Sequence, residues 1–342
     1  MEPPGDPPSA GRLSGGRRPH DGFPVPGRNL RRGGGGVSVS HLLIVNPRSA
    51  GGSTGRQWPQ TERRLRAILP PFHAVFTESP GDATRLAAEA VGRYQVIVAV
   101  GGDGTTNEVV NGLISREGTV SPEVALGVIP SGTGSDFLRS FGVSRSLEGA
   151  AGVLARGQRH EVDVGRARFL GFDHVPTTRY FINEASVGMG AVVCQVVNRS
   201  SKRFGAAGTF LWGILVALLR YRDQPVSMSI DGAPAESLVL NNAWIANGSY
   251  SGGGIRSAPR ARPDDGLLDL VRVVHTGLLR RLRGLPKLRS GAFVDLPHVD
   301  YRTARHVEFT AETRVPLETD GDPAGTVPAT FDLLPTRLPV IC

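Results

Sequence analysis

The chain has 342 residues, 39% hydrophobic and 20% charged, a globular composition long enough for two domains of ordinary size. Its formal net charge of +8 points to an anionic partner: phosphate, nucleic acid or a membrane surface. Two cysteines, Cys194 and Cys342, exclude a disulfide framework and a multi-cysteine zinc site, and fit a reducing, cytoplasmic setting.

Residues 1–36 carry Arg12, Arg17, Arg18, Arg28, Arg31 and Arg32, end in a glycine run, and contain no apolar core segment. They read as a disordered basic tail rather than a secretory signal; a transit peptide, the alternative, would be amphipathic. Residues 37–158 form the first predicted domain. Three short Val- and Ile-rich runs, at 41–45, 95–100 and 124–129, lack strict alternation, the pattern of strands covered on both faces of a parallel sheet. Helical spacing over 61–69 and 83–91 lies between them, so the alternation predicts a doubly wound α/β domain. From 159 to 335 the segments 226–230, 268–274 and 307–310 alternate apolar and polar residues, and Asp231-Gly232, Asp265-Gly266 and Asp320-Gly321 signal tight turns. This predicts a mostly antiparallel β domain, with 205–219 as its one long helix and 336–342 as a C-terminal segment. The longest uncharged apolar run, between Arg203 and Arg220, is shorter than the about 20 residues of a spanning helix, so no transmembrane anchor is predicted.

Each strand of the first domain runs into a glycine-rich polar loop: Asn46 to Gly52, Gly101 to Asn107, and Pro130 to Asp136. A parallel sheet delivers all three to one edge, where ligands bind. Glycines admit close backbone approach, and successive N–H groups at a helix start bind anions. Three such loops predict a polyphosphate ligand. Asp103 is expected in mid-loop, with the helix starting near Thr106 and burying Val109, Val110, Leu113 and Ile114. A carboxylate there implies a bridging Mg²⁺ or an orienting role; a capped turn is the alternative on these residues alone.

The run GGDGTTNEVVNGL resembles the signature loop of the diacylglycerol kinase catalytic domain family, which includes sphingosine and ceramide kinases. NPRSAGG, IPSGTGSDFLRSFG, GGGIRSAPRARPDDGLLDL and LETDGDPAG resemble four further motifs of that family, in the expected order over roughly residues 40–335. The likeness is greatest to the soluble bacterial enzymes. It implies an NAD kinase/diacylglycerol kinase-like fold and ATP-dependent phosphorylation of a lipid hydroxyl, with diacylglycerol giving phosphatidic acid. Asn46, Pro47, Ser49, Gly51 and Thr77 would contact the nucleotide. Gly101, Gly102, Asp103, Gly104, Thr105 and Asn107 would hold its phosphates, with Asp103 acting through Mg²⁺. Thr133 would contact ATP and Asp136 would support its loop. Asp265 would bind a structural Mg²⁺ with the carbonyls of Arg262 and Leu267. The base would be Asp322, with Asp320 and then Asp103 as the other candidates. Two positions depart from the family: its DGE motif is DGD here, so Asp322 is one methylene shorter, and Ser135 replaces the usual asparagine before Asp136.

A lipid acceptor would be met at a membrane surface. The apolar 204–219 helix, flanked by Lys202, Arg203, Arg220 and Arg222, could line an acyl slot or lie on a bilayer. Residues 278–289 mix leucines with five basic side chains and read as a surface for anionic lipid, with Arg280, Arg281 and Arg283 as its charges. A homodimer is compatible with this reading. The competing functions are a sphingosine- or ceramide-type kinase, an NAD kinase, and a non-catalytic membrane- or nucleic-acid-binding relative. With 6% aromatics and no stacking platform, nucleic acid is not expected as a partner.

Overall fold

A computed structural model describes residues 40–115, 117–131, 135–200 and 205–342. The predicted N-terminal tail, Thr133, Lys202 and Arg203 lie outside the described residues.

The first sheet begins with β1 (His41–Val45), followed by α1 (Ser53–Arg66), β2 (Phe72–Phe76), α2 (Asp82–Ala90), β3 (Val96–Gly101), α3 (Asp103–Leu113) and β4 (Ala125–Pro130). β1 pairs in parallel with both β2 and β3, and β3 pairs in parallel with β4. The order β2-β1-β3-β4 places a topological switch between β1 and β3, so the loops leaving those strands flank the crevice where α/β sheets bind ligands. β1 is buried along its whole length and Val96–Gly101 likewise, as runs without alternation require. Two helical starts differ from the sequence expectation. α1 begins at Ser53 rather than near 61, because Gly55 lacks a Cβ and can pass under Pro47, where a side chain would come within 2.9 Å. α3 begins at Asp103, three residues before the expected start, so Asp103 is the first helical residue and not the middle of a loop.

After α4 (Asp136–Ser140) and α5 (Leu147–Arg156), β5 (Arg159–Val162) closes the edge of this sheet. Its neighbour is β16 (Leu338–Ile341), antiparallel to β5 and parallel to β4, so the C-terminal segment is a strand of the first sheet. Its four residues find their partners about 180 residues upstream, a pairing that no local pattern announces.

The second sheet is antiparallel throughout. It contains β6 (Gly165–Gly171), β7 (Pro176–Phe181), β8 (Glu184–Gly188), β9 (Gln224–Ile230), β10 (Glu236–Ala246), β11 (Leu268–Val274), β12 (Val299–Ala304), β13 (His306–Thr310), β14 (Pro316–Thr319) and β15 (Asp322–Leu333). β9 pairs with both β13 and β10, which closes the path β10-β8-β14-β15-β13-β9 into a barrel. Phe169, Phe181, Phe309 and Phe331 fill its interior. Asp320 and Gly321 have φ of +47° and +85°, the left-handed pair of a two-residue hairpin between β14 and β15. Three helices pack outside: α6 (Met189–Arg199), α7 (Gly205–Arg220) and α8 (Leu278–Gly284), the last continued by a 3₁₀ turn over Leu285–Lys287. Among the described residues no helix is long and apolar enough to cross a membrane.

Candidate active site

The loops after β1, β3 and β4 are tied to one another by side chains. Asn46 Nδ2 donates to Thr105 Oγ1 at 2.9 Å, joining the first loop to α3. Ser49 Oγ contacts Thr54 Oγ1 at 2.6 Å, and Thr54 contacts Ser131 of the third loop. The Ser131 N–H donates to the Gly101 carbonyl at 2.7 Å. Asp103 Oδ2 accepts the Ser135 N–H at 2.9 Å, so the carboxylate at the start of α3 organises the start of α4.

The third loop also grips the β domain. The Gly253 N–H donates to Asp136 Oδ2 at 2.6 Å, and the Ser249 N–H to Ser140 Oγ at 3.1 Å. Burial, followed by the Asp103 charge, pushes the Asp136 carboxyl up to about 6. Burial likewise raises Asp103 against the amides of Ser135 and Asp136. Asp136 Oδ1 is buried and has no hydrogen-bond partner beyond an ion pair with Arg139 at 3.2 Å, so the two neighbouring carboxylates keep oxygen donors of the hard kind that a divalent cation takes.

The β14–β15 hairpin reaches across to the same place. A Cβ at Gly104 would lie 3.4 Å from Asp322 Oδ2, so Asp322 stands over the N-terminal turn of α3. Burial raises its carboxyl, opposed chiefly by the Arg179 charge. Asp320 differs in kind. Its Oδ1 accepts the N–H groups of Asn183 (3.0 Å) and Glu184 (2.9 Å). Its Oδ2 accepts Asn107 Nδ2 (2.8 Å) and the Ile182 N–H (3.2 Å). Four donors saturate this carboxylate, which latches the hairpin to α3 and to the start of β8. Burial nevertheless holds it up at about 6.

One cavity of about 780 Å³ joins these groups, within the size range of small-molecule sites. Asn46, Ser49, Gly51, Gly102, Asp103, Gly104, Thr105, Asn107, Asp136, Asp320 and Asp322 all line it. Pro47, Thr77 and Gly101 do not. Thr77 is buried at the end of β2, its N–H on the Val45 carbonyl at 3.0 Å. The Arg262–Asp265–Leu267 turn is elsewhere. There Asp265 is exposed and its Oδ1 accepts the Leu267 N–H at 3.0 Å. Asp163 Oδ2 holds the same turn by accepting the Gly266 N–H (2.6 Å), and Arg337 Nε donates to Asp163 Oδ1 (2.7 Å). Among the described residues no three His, Cys, Asp or Glu side chains are grouped to hold a metal.

Sequence reasoning missed Glu184 and Glu318. Both line the cavity, both are buried, and burial and then, for Glu184, the Glu318 charge push them well above the ordinary glutamate range. Glu318 Oε2 accepts the Gly321 N–H at 2.7 Å and so shapes the turn that carries Asp322. The only sequence signal was acidic density in LETDGD. Beyond these acids the cavity turns apolar, walled by Val193, Ile214, Leu218, Leu285, Leu288 and Phe293.

Comparison with known proteins accords with this arrangement. Residues 40–167 match the diacylglycerol kinase catalytic domain, and residues 183–342 match the YegS C-terminal NAD kinase beta sandwich-like domain. A protein of Chromohalobacter salexigens named as a YegS-like lipid kinase is 35% identical over 82% of this chain and 86% of its own. Diacylglycerol kinase of Staphylococcus aureus is 30% identical over 84% of this chain and 88% of its own. The crystal structure of a putative diacylglycerol kinase from Bacillus anthracis str. Sterne superposes with a TM-score of 0.69 at 26% identity, covering 88% of this chain and 97% of that one. Matched over both halves and across the motif loops that meet in the cavity, this chain belongs to the diacylglycerol kinase catalytic domain family and is a kinase of its lipid kinase branch.

Proposed function

We propose that this kinase transfers the γ-phosphoryl group of ATP to the hydroxyl of a lipid at a membrane surface, with diacylglycerol as acceptor and phosphatidic acid as product. The observation that carries the reading is the single cavity whose one end is built from glycine loops and carboxylates and whose other end is apolar. The loop amides and the α3 N-terminus receive the phosphates, since helix N-terminal N–H groups and their dipole favour anions. Asp103 and Asp136 are the residues that would hold Mg²⁺, which when bound supplies charge neutralisation for the phosphates. Asp265 would hold a second, structural ion outside the cavity.

Asp322 is the base. It is the carboxylate over α3 with no saturating set of donors, whereas Asp320 has its lone pairs committed to four. The acceptor oxygen forms a bond to the γ-phosphorus, the bond from that phosphorus to the β,γ-bridging oxygen breaks, and ADP leaves. The acceptor proton passes to Asp322. The DGD spelling is compatible with this role because Asp322 already reaches Gly104 across the cleft.

An amino-alcohol lipid is a second acceptor chemistry: Glu184 and Glu318 line the cavity beside the reacting end, burial favours their protonated forms in the free protein, and one of them would ionise to pair with an amine. The test is incubation with γ-labelled ATP, Mg²⁺ and mixed micelles of single lipids. Label in diacylglycerol, absent with Asp322→Asn, is the expected result. Label only in a sphingoid base selects the second acceptor. Label in no lipid removes both.

A further inference from the structure

We propose that the outer faces of α7 and α8 form one docking surface for an anionic phospholipid bilayer, placing the apolar end of the cavity against the membrane. The inference rests on the lipid-acceptor reading and adds the face, the orientation and the residues.

α7 and the turn that follows α8 wall the apolar end of the cavity. On the inside, Phe210, Ile214 and Leu218 of α7 share a cluster with Leu285 and Leu288, and all five line the cavity. On the outside, Leu211 (52% exposed), Trp212 (57%) and Leu219 (79%) project from α7, and Leu279 (71%) projects from α8 beside Leu278 and Leu282. Leu211, Leu215 and Leu219 repeat at four-residue spacing and so form a single stripe. A helix apolar on both faces belongs in apolar surroundings, and a patch of this kind marks an interaction surface.

Charge selects the occupant. Arg220 and Arg222 are exposed at the end of α7, and Arg280, Arg283, Lys287 and Arg289 are exposed along α8 and the segment after it, while neither 205–222 nor 277–290 contains an Asp or Glu. A second copy docking through the same patch would set these cations against their own images. A bilayer with anionic headgroups accepts both the leucine and tryptophan ridge and the arginines.

Arg281 departs from the sequence expectation that it belongs to this basic surface. Its side chain turns inward to the buried Asp223, and its Nε donates to the Thr276 carbonyl at 2.9 Å. Asp223 also accepts Asn241 Nδ2 at 2.9 Å and contacts His275 Nδ1 at 2.6 Å. Arg281 therefore pins α8 over the cavity, and docking uses Arg280 and Arg283.

The experiment uses the full chain with vesicles free of diacylglycerol, either of phosphatidylcholine alone or with added phosphatidylglycerol, read by co-sedimentation and Trp212 emission. Expected are binding to the anionic vesicles only and a blue shift that disappears in Trp212→Phe. Leu219→Asp with Leu279→Asp should abolish binding. Arg280→Glu with Arg283→Glu should lower partitioning about tenfold or more, less so at high salt. Both double variants should phosphorylate dispersed short-chain diacylglycerol as the wild type does. Equal binding to neutral vesicles, absence of binding, or retained binding in the leucine variant overturns the proposal. So does a dimer that the leucine variant dissolves without affecting vesicle binding. If the wild type docks but phosphorylates no diacylglycerol, the acceptor reading fails and the docking surface stands.

Discussion

Asp322 and Gly104 meet across the cleft: a methyl group added at Gly104 would sit 3.4 Å from Asp322 Oδ2. Gly104 is the second residue of α3 and does not need a positive φ, so its missing side chain keeps space open rather than relieving backbone strain. Gly104→Ala should therefore leave thermal stability unchanged or raise it by about 0.5–1 kcal/mol, the usual helix preference for alanine. It should lower kcat by about ten- to a hundredfold by filling the space between base and phosphate site. Thermal melts beside steady-state kinetics check both halves.

Asp322 and Asp320 should separate cleanly. Asp322→Asn removes the proton acceptor and should cost about 10²–10⁴ in kcat, with ATP affinity and melting temperature preserved. Asp320→Asn places an amide NH₂ against N–H groups that now find an oxygen. It should cost about 2–4 kcal/mol in stability, the penalty for a buried network left with unmatched donors. Equal melting temperatures for the two variants would contradict the latch role of Asp320.

Glu318 gives a pH signature. Its folded-state carboxyl is raised above the unfolded value, mainly by burial. The folded protein therefore binds a proton that the unfolded chain releases, and stability declines as pH climbs from the ordinary glutamate range toward the folded value. Glu318→Gln keeps an acceptor for the Gly321 N–H but cannot ionise. Its melting temperature should fall less than that of the wild type between pH 5 and pH 8. The gain at the upper end should be on the order of 1 kcal/mol. Parallel pH–stability curves would count against a proton held there.

Activity should fall in acid for a different reason. Asp136 and Asp320 both titrate at about 6, and both must be ionised to hold the third loop and the hairpin. The pH profile of kcat/KM should bend downward below about pH 6, and Asp136→Asn should shift the bend while lowering the plateau.

The Asp265 turn offers a test of metal binding that needs no turnover. If Asp265 takes a structural Mg²⁺, chelation should lower the melting temperature of the wild type more than that of Asp265→Asn, in which only the Asp103 and Asp136 site is left to lose an ion. Because Asp163, itself held by Arg337, already staples this turn, the difference should be modest, about 1–2 °C.

Much of the molecule is legible in its sequence because the relevant physics is local. Strands buried on both faces need unbroken Val and Ile, loops that approach phosphate need glycine, and a two-residue hairpin needs Asp-Gly, so 41–45, 101–107 and 320–321 announce themselves. What only the tertiary structure decided is which groups face one another. Asp320 and Asp322 are two residues apart and chemically identical, yet one is saturated by donors from 107 and 182–184 while the other stands over Gly104. Glu184 and Glu318 are raised by burial from opposite ends of the β domain. Arg281 turns inward among arginines that face out, because Asp223, 58 residues earlier, lies beneath it. Desolvation and hydrogen-bond saturation depend on every neighbour a group acquires in space, and the order of residues along a chain does not specify those neighbours until the sheets have closed.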